Sequence, residues 1–198
     1  LTSEGGFEVA GETLAPGTVG DWLAEHATRG VVGLDYTGHW RAGAGDVTGL
    51  ALAAPDGTAA WLDTAELTPE DDRALAAWLA DEAVGKAVHD AKGPLLATWS
   101  RGWDLRGLAS DTQLAAYLLR PDQRVYDLAD LVARNLRREL AVAGSGAEAG
   151  DQAAFVFDDD SAATDSMIRA RAVVELAAAL EAELDRQGST RLLREVEQ

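Results

Sequence analysis

The sequence predicts an α/β domain in which a five-stranded mixed sheet is flanked by helices. Three short apolar stretches come first, at residues 31–35, 48–54 and 58–62, and their spacing predicts an antiparallel meander. Two further strand-like stretches, at residues 85–89 and 105–109, alternate with helical segments. Because strands that alternate with helices favour parallel pairing, the sheet is expected to be mixed.

The connections between the strands carry different signals. Pro55-Asp56-Gly57 separates two apolar runs, and Asp-Gly in such a position is a strong hairpin signal. Residues 38–47 contain three glycines and predict an irregular loop. Residues 1–17 show little periodicity and predict an N-terminal linker or a loosely attached edge.

Apolar residues at helical spacing predict the helices. The clearest start is at Thr68, which can cap a helix with Pro69 in the first position and Asp71 completing an approximate capping box. The helix that ends near Leu136 finishes in a basic cluster that includes Arg134, Arg137 and Arg138. The helices are expected at residues 18–27, 68–79, 94–99, 111–119, 128–136 and 164–186.

Small and polar residues fill the stretch from 141 to 154. Such a composition buries too little apolar surface to offset the entropy of ordering, so a mobile loop is expected at about residues 141–160. The six tryptophans lie mostly in helical or strand context and are assigned to the core, with Trp40 as the expected exposed exception.

Composition excludes several function classes. The chain has 198 residues, no cysteine and a net charge of −17, from 34 acidic and 17 basic residues. A disulfide framework and a thiolate metal site are therefore excluded. A chain this acidic is unsuited to gripping nucleic acid by itself, because phosphate contacts need a basic face. No apolar run approaches the roughly 20 residues of a membrane span, so a cytoplasmic setting is the expectation.

The stretch 31–37 is the strongest candidate for chemistry. It predicts a strand that carries Asp35 near its end, which is how many metal-dependent nucleases present their first ligand. Side chains alternate along a strand, so an Asp-x-Glu pair there would place two carboxylates on one face for a two-metal site. Here the second position is Thr37, whose hydroxyl is a poor metal ligand.

Other candidate sites have simpler interpretations. His26, His39 and His89 are too scattered for a zinc signature. The acidic run 158–160 lacks the ligand spacing of a calcium loop and is interpreted as a solvated segment. The glycines at 43 and 45 lack the residues that complete a phosphate-binding loop.

The order of these elements resembles the 3′ to 5′ exonuclease domain of family A bacterial DNA polymerases, of the polymerase I type. The resemblance covers nearly the whole chain, and the alanine- and arginine-rich composition is similar to that of actinobacterial proteins, mycobacterial ones among them. It implies a ribonuclease H-like fold of the DnaQ exonuclease type. The stretches that carry it are residues 32–35, 47–53, 57–62, 86–92 and 111–119.

In that family, four carboxylates from three motifs hold two divalent ions, and a tyrosine orients the attacking water. Most of these positions differ here. Asp35 matches the first motif, but Thr37 replaces its glutamate. In the second motif, His89 stands at the asparagine and Gly93 at the aspartate. In the third, the nearest alignment puts Asp165 at the tyrosine and Arg169 at the aspartate.

One carboxylate does not hold a pair of Mg²⁺ ions, since each ion needs several oxygen ligands. The resemblance therefore implies a vestigial domain with no catalytic residue, no bound metal and no cofactor of its own. The alternative is an active exonuclease with a rearranged site formed by Asp35, Asp90 and Asp165. A third reading, from the binding class, is an acidic surface that docks a basic protein.

The resemblance also implies a domain order. Residues 18–187 would form the exonuclease-like domain, and residues 188–198 would begin the connection to a polymerase domain. The chain would then be a fragment of a DNA repair and replication enzyme that uses Mg²⁺ elsewhere. Its partners would be that polymerase domain and an upstream nuclease domain of the same polypeptide, with DNA reached through the longer protein and weakly or not at all by this domain.

Overall fold

The computed structural model describes residues 6–41, 44–140 and 159–187, and these residues build one mixed sheet with helices on both faces. The predicted 141–160 loop falls almost entirely outside the described residues, as does the 188–198 connection. The strands are β1 Ala10–Thr13, β2 Val31–Arg41, β3 Ala44–Ala53, β4 Thr58–Asp63, β5 Gly85–Val88 and β6 Leu108–Asp111. The helices are α1 Val19–His26, α2 Pro69–Leu79, α3 Lys92–Ser100, α4 Thr112–Leu119, α5 Leu128–Leu136 and α6 Asp159–Gln187.

The sheet has the strand order β1-β4-β3-β2-β5-β6. The meander β2-β3-β4 is antiparallel as predicted, and β5 and β6 join it in parallel beside β2. The prediction of five strands is wrong by one, because β1 pairs in parallel with β4 at the sheet edge. All four β1 residues are exposed, so this strand leaves no apolar alternation in the sequence.

The predicted loop at residues 38–47 is also wrong. In the structure β2 and β3 continue as a paired ribbon through most of this stretch, with a register shift between Thr37 and Gly38. A Cβ atom at Gly38 would overlap the Asp46 carbonyl of the facing strand. The glycine that suggested a loop is therefore there because two strands approach closely.

Several helix boundaries and one exposure also differ from the predictions. Helix α6 begins at Asp159, five residues before the predicted start. Trp40 is half-buried, whereas Trp99 on α3 is the most exposed of the six tryptophans, at 59%. No helix among the described residues is long and apolar enough to cross a membrane.

The two faces of the sheet differ in side-chain size. One face carries large residues such as Leu34, Leu50 and Leu62, which pack against α1, α2 and α3. The opposite face of β3 and β4 carries alanines, which pack against Met167 and Ala170 of α6. Small residues let a helix lie close to a sheet, and this closeness brings α6 to the candidate site.

Candidate functional site

Asp35 lies on the face of β2 that is covered by α6. Its Oδ2 atom accepts hydrogen bonds from the Ser166 hydroxyl and from Arg169 Nε, the latter at 3.0 Å. The Asp35 and Arg169 side chains are 18% and 30% exposed, so both are largely removed from water. The carboxylate is therefore held between a hydroxyl and a guanidinium that come from one helix.

Two local features place these groups. Ser166 and Arg169 are three residues apart on α6, so their side chains project from the same face of the helix. Gly33, two residues before Asp35 and on the same strand face, allows the approach, because a Cβ atom there would overlap the Ala170 carbonyl. The backbone of α6 consequently rests directly on β2 beside the carboxylate.

The electrostatics at Asp35 are a balance of opposing effects. Burial raises the pKa of its carboxyl above the ordinary value, while the positive charge of Arg169 and the hydrogen bonds from Ser166 and Arg169 lower it. Burial wins, so the charged carboxylate is costly here. Its ionised form depends on the neighbouring guanidinium.

Thr37 is exposed, and its carbonyl oxygen accepts a hydrogen bond from the Thr48 hydroxyl at 3.2 Å. A cavity of about 710 Å³ is lined by Thr37, Thr48, Trp61, Asp165 and Arg169, among other residues. The structure therefore brings Thr37, Asp165 and Arg169 to one surface. The side chain that follows Asp35 on this face is a hydroxyl and supplies no charge.

His89 directly follows the neighbouring strand β5. Its Nδ1 atom lies 2.8 Å from the Thr112 hydroxyl at the start of α4. Burial lowers the pKa of His89, although Asp111, Asp90 and Asp127 oppose the shift. Burial thus favours the neutral imidazole, and the Thr112 hydroxyl beside it donates to the Val88 carbonyl at 3.3 Å.

Gly93, in the first turn of α3, is covered by a tryptophan. A Cβ atom at this position would overlap the indole ring of Trp40, close to its Cδ1 and Nε1 atoms. Trp40 belongs to the part of β2 that the sequence did not predict as strand. The space that an aspartate side chain would need at position 93 is filled by this ring.

The three carboxylates of the rearranged-site alternative are not brought together. Asp90 is exposed on the turn after β5, in the left-handed conformation with a φ of 54°, and Asp165 lies on α6. Nowhere in residues 6–41, 44–140 and 159–187 do three His, Cys, Asp or Glu side chains form a group that could hold a metal ion. The donor set around Asp35, one carboxylate already paired with a cation, does not fit a pair of divalent ions.

Sequence reasoning missed two residues of this site. Ser166 could have been found from its spacing, because it lies one turn before Arg169 on the same helix face. Trp40 could not, since its contact with Gly93 joins positions more than fifty residues apart and depends on the extended hairpin. The assignment of Asp35, Thr37, His89, Gly93, Asp165 and Arg169 as vestigial positions stays a prediction.

The fold and the site define an α/β domain of the ribonuclease H-like exonuclease class, with a single carboxylate on its central strand. Comparison with known families is more specific. The family model described as "DNA polymerase I, ribonuclease H-like domain" matches residues 44–147, just over half of the chain. The chain belongs to this family. The predicted resemblance to the polymerase I type and the predicted ribonuclease H-like fold are both confirmed.

Individual relatives agree with this result. DNA polymerase I of Mycobacterium bovis is 52% identical over 196 residues, which cover 97% of this chain and 21% of that protein. A solved structure of the POL domain of Pol1 from M. smegmatis, in complex with DNA primer-template and dNTP, is 41% identical with a TM-score of 0.78. That match covers 92% of this chain and 29% of the solved chain. The chain therefore spans about a fifth of the length of its mycobacterial relative.

The EXO domain of Nibbler from Aedes aegypti is a more distant structural match. It has a TM-score of 0.71 at 15% identity, and the match covers 96% of this chain and 97% of that domain. A likeness at this identity shows the fold alone. It indicates that the described elements have the arrangement of an exonuclease domain.

Proposed function

We propose that this chain is a catalytically inactive 3′ to 5′ exonuclease-type domain with a structural role in a DNA polymerase I. The observation that carries the proposal is the state of Asp35, whose carboxylate is bound by Arg169 at 3.0 Å and by Ser166. A divalent ion at this carboxylate would have to displace a guanidinium of the same charge sign. The fixed cation of α6 takes the role that a metal ion would otherwise have.

Two further observations support this proposal. Thr37 adds no negative charge beside Asp35, so the ligand charge that gives Mg²⁺ its affinity is missing. Trp40 fills the space next to Gly93, so an aspartate side chain at this position would overlap the indole ring. Two-metal chemistry depends on several carboxylates placed to within fractions of an ångström, and these residues leave one.

The same contacts explain a structural role. Asp35 and Arg169 are 134 positions apart, and their pair joins the central strand to the longest helix. Because Asp35 pairs with Arg169, the ion pair can hold α6 against the sheet without a metal ion. The domain would then present a rigid body to the other parts of the polypeptide.

The longer protein is the setting for this role. In our proposal the domain separates an upstream nuclease domain from the polymerase domain, and it meets DNA mainly through the latter. It needs no cofactor of its own, whereas the polymerase site, outside this chain, uses Mg²⁺ and dNTPs. The protein would act in replication and repair in the bacterial cytoplasm, at the nucleoid.

The test is degradation of single-stranded DNA. The chain is incubated with 3′-labelled DNA and either Mg²⁺ or Mn²⁺, beside an active proofreading exonuclease that proves the substrate competent. We expect no release of the label from the DNA above that of a buffer blank. Degradation that Asp35→Ala abolishes would overturn the proposal, because it would show a working site around this carboxylate.

A further inference from the structure

Four arginines line one cavity at the end of the domain remote from Asp35. The cavity has a volume of about 320 Å³ and lies between α4, α5 and α6, with Arg120, Arg134, Arg137 and Arg186 around it. Along α6, Arg186 is about 25 Å from Arg169 at 1.5 Å per residue. This basic cavity is therefore separate from the site described above.

The concentration of positive charge is unexpected in so acidic a chain. The 34 acidic residues outnumber the 17 basic ones twofold, yet four arginines converge here with Glu183 as the one carboxylate of the lining. Arg134 is bound to Asp130 and Gln123, and Arg186 to Glu183. Within the part of the chain that the structure describes, Arg120 and Arg137 have no acidic partner.

Arg137 gives a second, independent observation. It caps α5 in the left-handed conformation, with a φ of 55°, where glycine is the least costly residue. A non-glycine residue in this conformation costs of order 1 kcal/mol. Arg137 keeps this conformation while its exposed side chain lines the cavity, where a ligand could reach its guanidinium.

Helix ends are the competing explanation, because arginines often neutralise the partial negative charge of exposed carbonyls. The ends of α4, α5 and α6, which all lie at this cavity, each carry roughly half a negative charge. The two guanidiniums without an acidic partner carry two full positive charges, so a surplus of about half a positive charge remains for a ligand. The floor beneath them is apolar, with the buried residues Leu131 and Leu180.

We propose that this cavity binds a phosphate group, carried either by a nucleic-acid strand or by a free phosphorylated compound. Guanidiniums match phosphate oxygens with paired hydrogen bonds, and several of them favour a ligand with more than one negative oxygen. The inference goes beyond the proposed function. Phosphate binding is measured without any nuclease readout, so the two proposals fail independently.

The experiment titrates the 198-residue chain with inorganic phosphate by calorimetry and with a labelled oligothymidine by fluorescence anisotropy. The variant is Arg120→Gln with Arg137→Gln, which changes the net charge from −17 to −19 by removal of two positive charges. The matched control is Arg29→Gln with Arg73→Gln, an equal charge change at two exposed arginines elsewhere. We expect the variant to weaken binding at least about fivefold and the control less than about twofold.

The two probes distinguish the source of the phosphate. Tighter binding of the oligothymidine, falling between about 50 mM and about 200 mM salt, supports a nucleic-acid strand. Equal binding of both probes supports a free phosphorylated compound. Absence of binding, equal weakening by the control, or competition by an oligoglutamate of the same charge overturns the proposal.

A measurement without substitutions guards against a folding defect. Phosphate is added to the wild-type chain while the arginine Nε–Hε signals are followed by NMR. The signals of Arg120 and Arg137 are expected to shift, and that of Arg29 to stay in place. Equal shifts at all three would contradict a defined site.

Discussion

Among single residues, Arg169 has the largest electrostatic consequence, because the buried charge of Asp35 depends on it. We expect Arg169→Met to lower the free energy of unfolding by about 2 kcal/mol at pH 7, since it leaves a buried carboxylate unpaired. Burial already raises the pKa of Asp35, and loss of the guanidinium raises it further. The folded variant then holds a proton more tightly than the unfolded chain, so the loss shrinks as the pH falls.

Urea unfolding at pH 7 and at about pH 5 measures this dependence. Arg29→Met, at an exposed arginine without an ion pair in the described structure, is the control and should change stability by less than about 0.5 kcal/mol. A loss of equal size at both pH values would show that Asp35 is not the group responsible.

Tyr36 is a second single residue with a measurable cost. Its hydroxyl is buried without a hydrogen-bond partner among the described residues, and burial raises the pKa of the phenol. Removal of an unsatisfied buried hydroxyl relieves its desolvation penalty, so Tyr36→Phe should stabilise the fold by about 1 kcal/mol. The melting temperature should rise by about 2–4 °C.

Tyr126→Phe is the matched control, because its hydroxyl donates to the Arg120 carbonyl at 2.6 Å. That substitution loses a hydrogen bond and should bring no gain. A lower melting temperature for Tyr36→Phe would mean that its hydroxyl has a role in the native core.

At the scale of secondary-structure elements, Asp71 joins the starts of two helices. Its carboxylate accepts from Thr68 at the cap of α2, and from the backbone amides of Gly17 and Val19 before and within α1. Burial raises its pKa, but these hydrogen bonds outweigh burial and lower it overall. The carboxylate is thus stabilised in its charged form.

Asp71→Ala should lower the free energy of unfolding by about 3 kcal/mol, because a helix cap, the buried amide of Val19 and the partly buried amide of Gly17 lose their acceptor. In the wild type, a lowered pKa means that this stability is present at neutral pH and is lost as the pH falls through the folded-state pKa. Denaturant titration measures the change, with Glu70→Ala on the same turn as an exposed control. Equal losses of unfolding free energy for both variants would show that negative charge at the start of α2, and not the hydrogen bonds of Asp71, is responsible.

The two sets of hydrogen bonds at Asp71 differ in how far the sequence predicts them. Thr68-Pro69 and Asp71 form a local capping pattern, and the structure confirms the box. The hydrogen bonds to Gly17 and Val19 join segments more than fifty residues apart, so no local pattern reports them. Local chemistry predicts most helix starts in this chain, whereas contacts between elements require the tertiary arrangement.

The extended hairpin and α3 form a second pair of elements that depend on each other. Gly93→Asp should destabilise the domain by about 2 kcal/mol or more, because its Cβ would overlap the Trp40 indole. Combined with Trp40→Ala, the added cost of the aspartate should fall below about 1 kcal/mol. A double-mutant cycle by thermal unfolding measures the coupling, and strict additivity would contradict the contact.

At the scale of the whole molecule, sequence patterns predicted the central strands of the sheet but not its edge strand β1. The strands β2, β3 and β4 are largely buried and form apolar runs in the sequence, whereas β1 is exposed along its length and forms none. The candidate site follows the same rule. Asp35 could be located from its strand, but the contact of Trp40 with Gly93 depends on a hairpin whose glycines predicted a loop.

The N-terminal segment shows how the whole domain is held together outside its sheet. Arg138 stacks on the Phe7 ring at 3.9 Å, donates to the Gly6 carbonyl and pairs with Glu175 of α6. Phe7 is buried with α4, α5 and α6, a few residues before β1 joins the far edge of the sheet. This segment therefore links both sides of the domain.

Net charge gives a prediction that belongs to the whole molecule. With a charge of −17, the folded chain repels itself, and compact states suffer more from repulsion than extended ones. The ion pairs of the described residues are mostly half-exposed, so each contributes little. Raising sodium chloride from about 10 mM to about 100 mM shortens the screening length from about 30 Å to about 10 Å.

We therefore expect the melting temperature to rise with salt over this range, measured by calorimetry. The control variant with Arg29→Gln and Arg73→Gln has a charge of −19 and should show a steeper rise, because it removes two positive charges without breaking an ion pair of the described structure. Choline chloride should act like sodium chloride if screening is the cause. A melting temperature that falls with salt would show that the half-exposed ion pairs of the described residues outweigh the repulsion, because those are the pairs that salt screens.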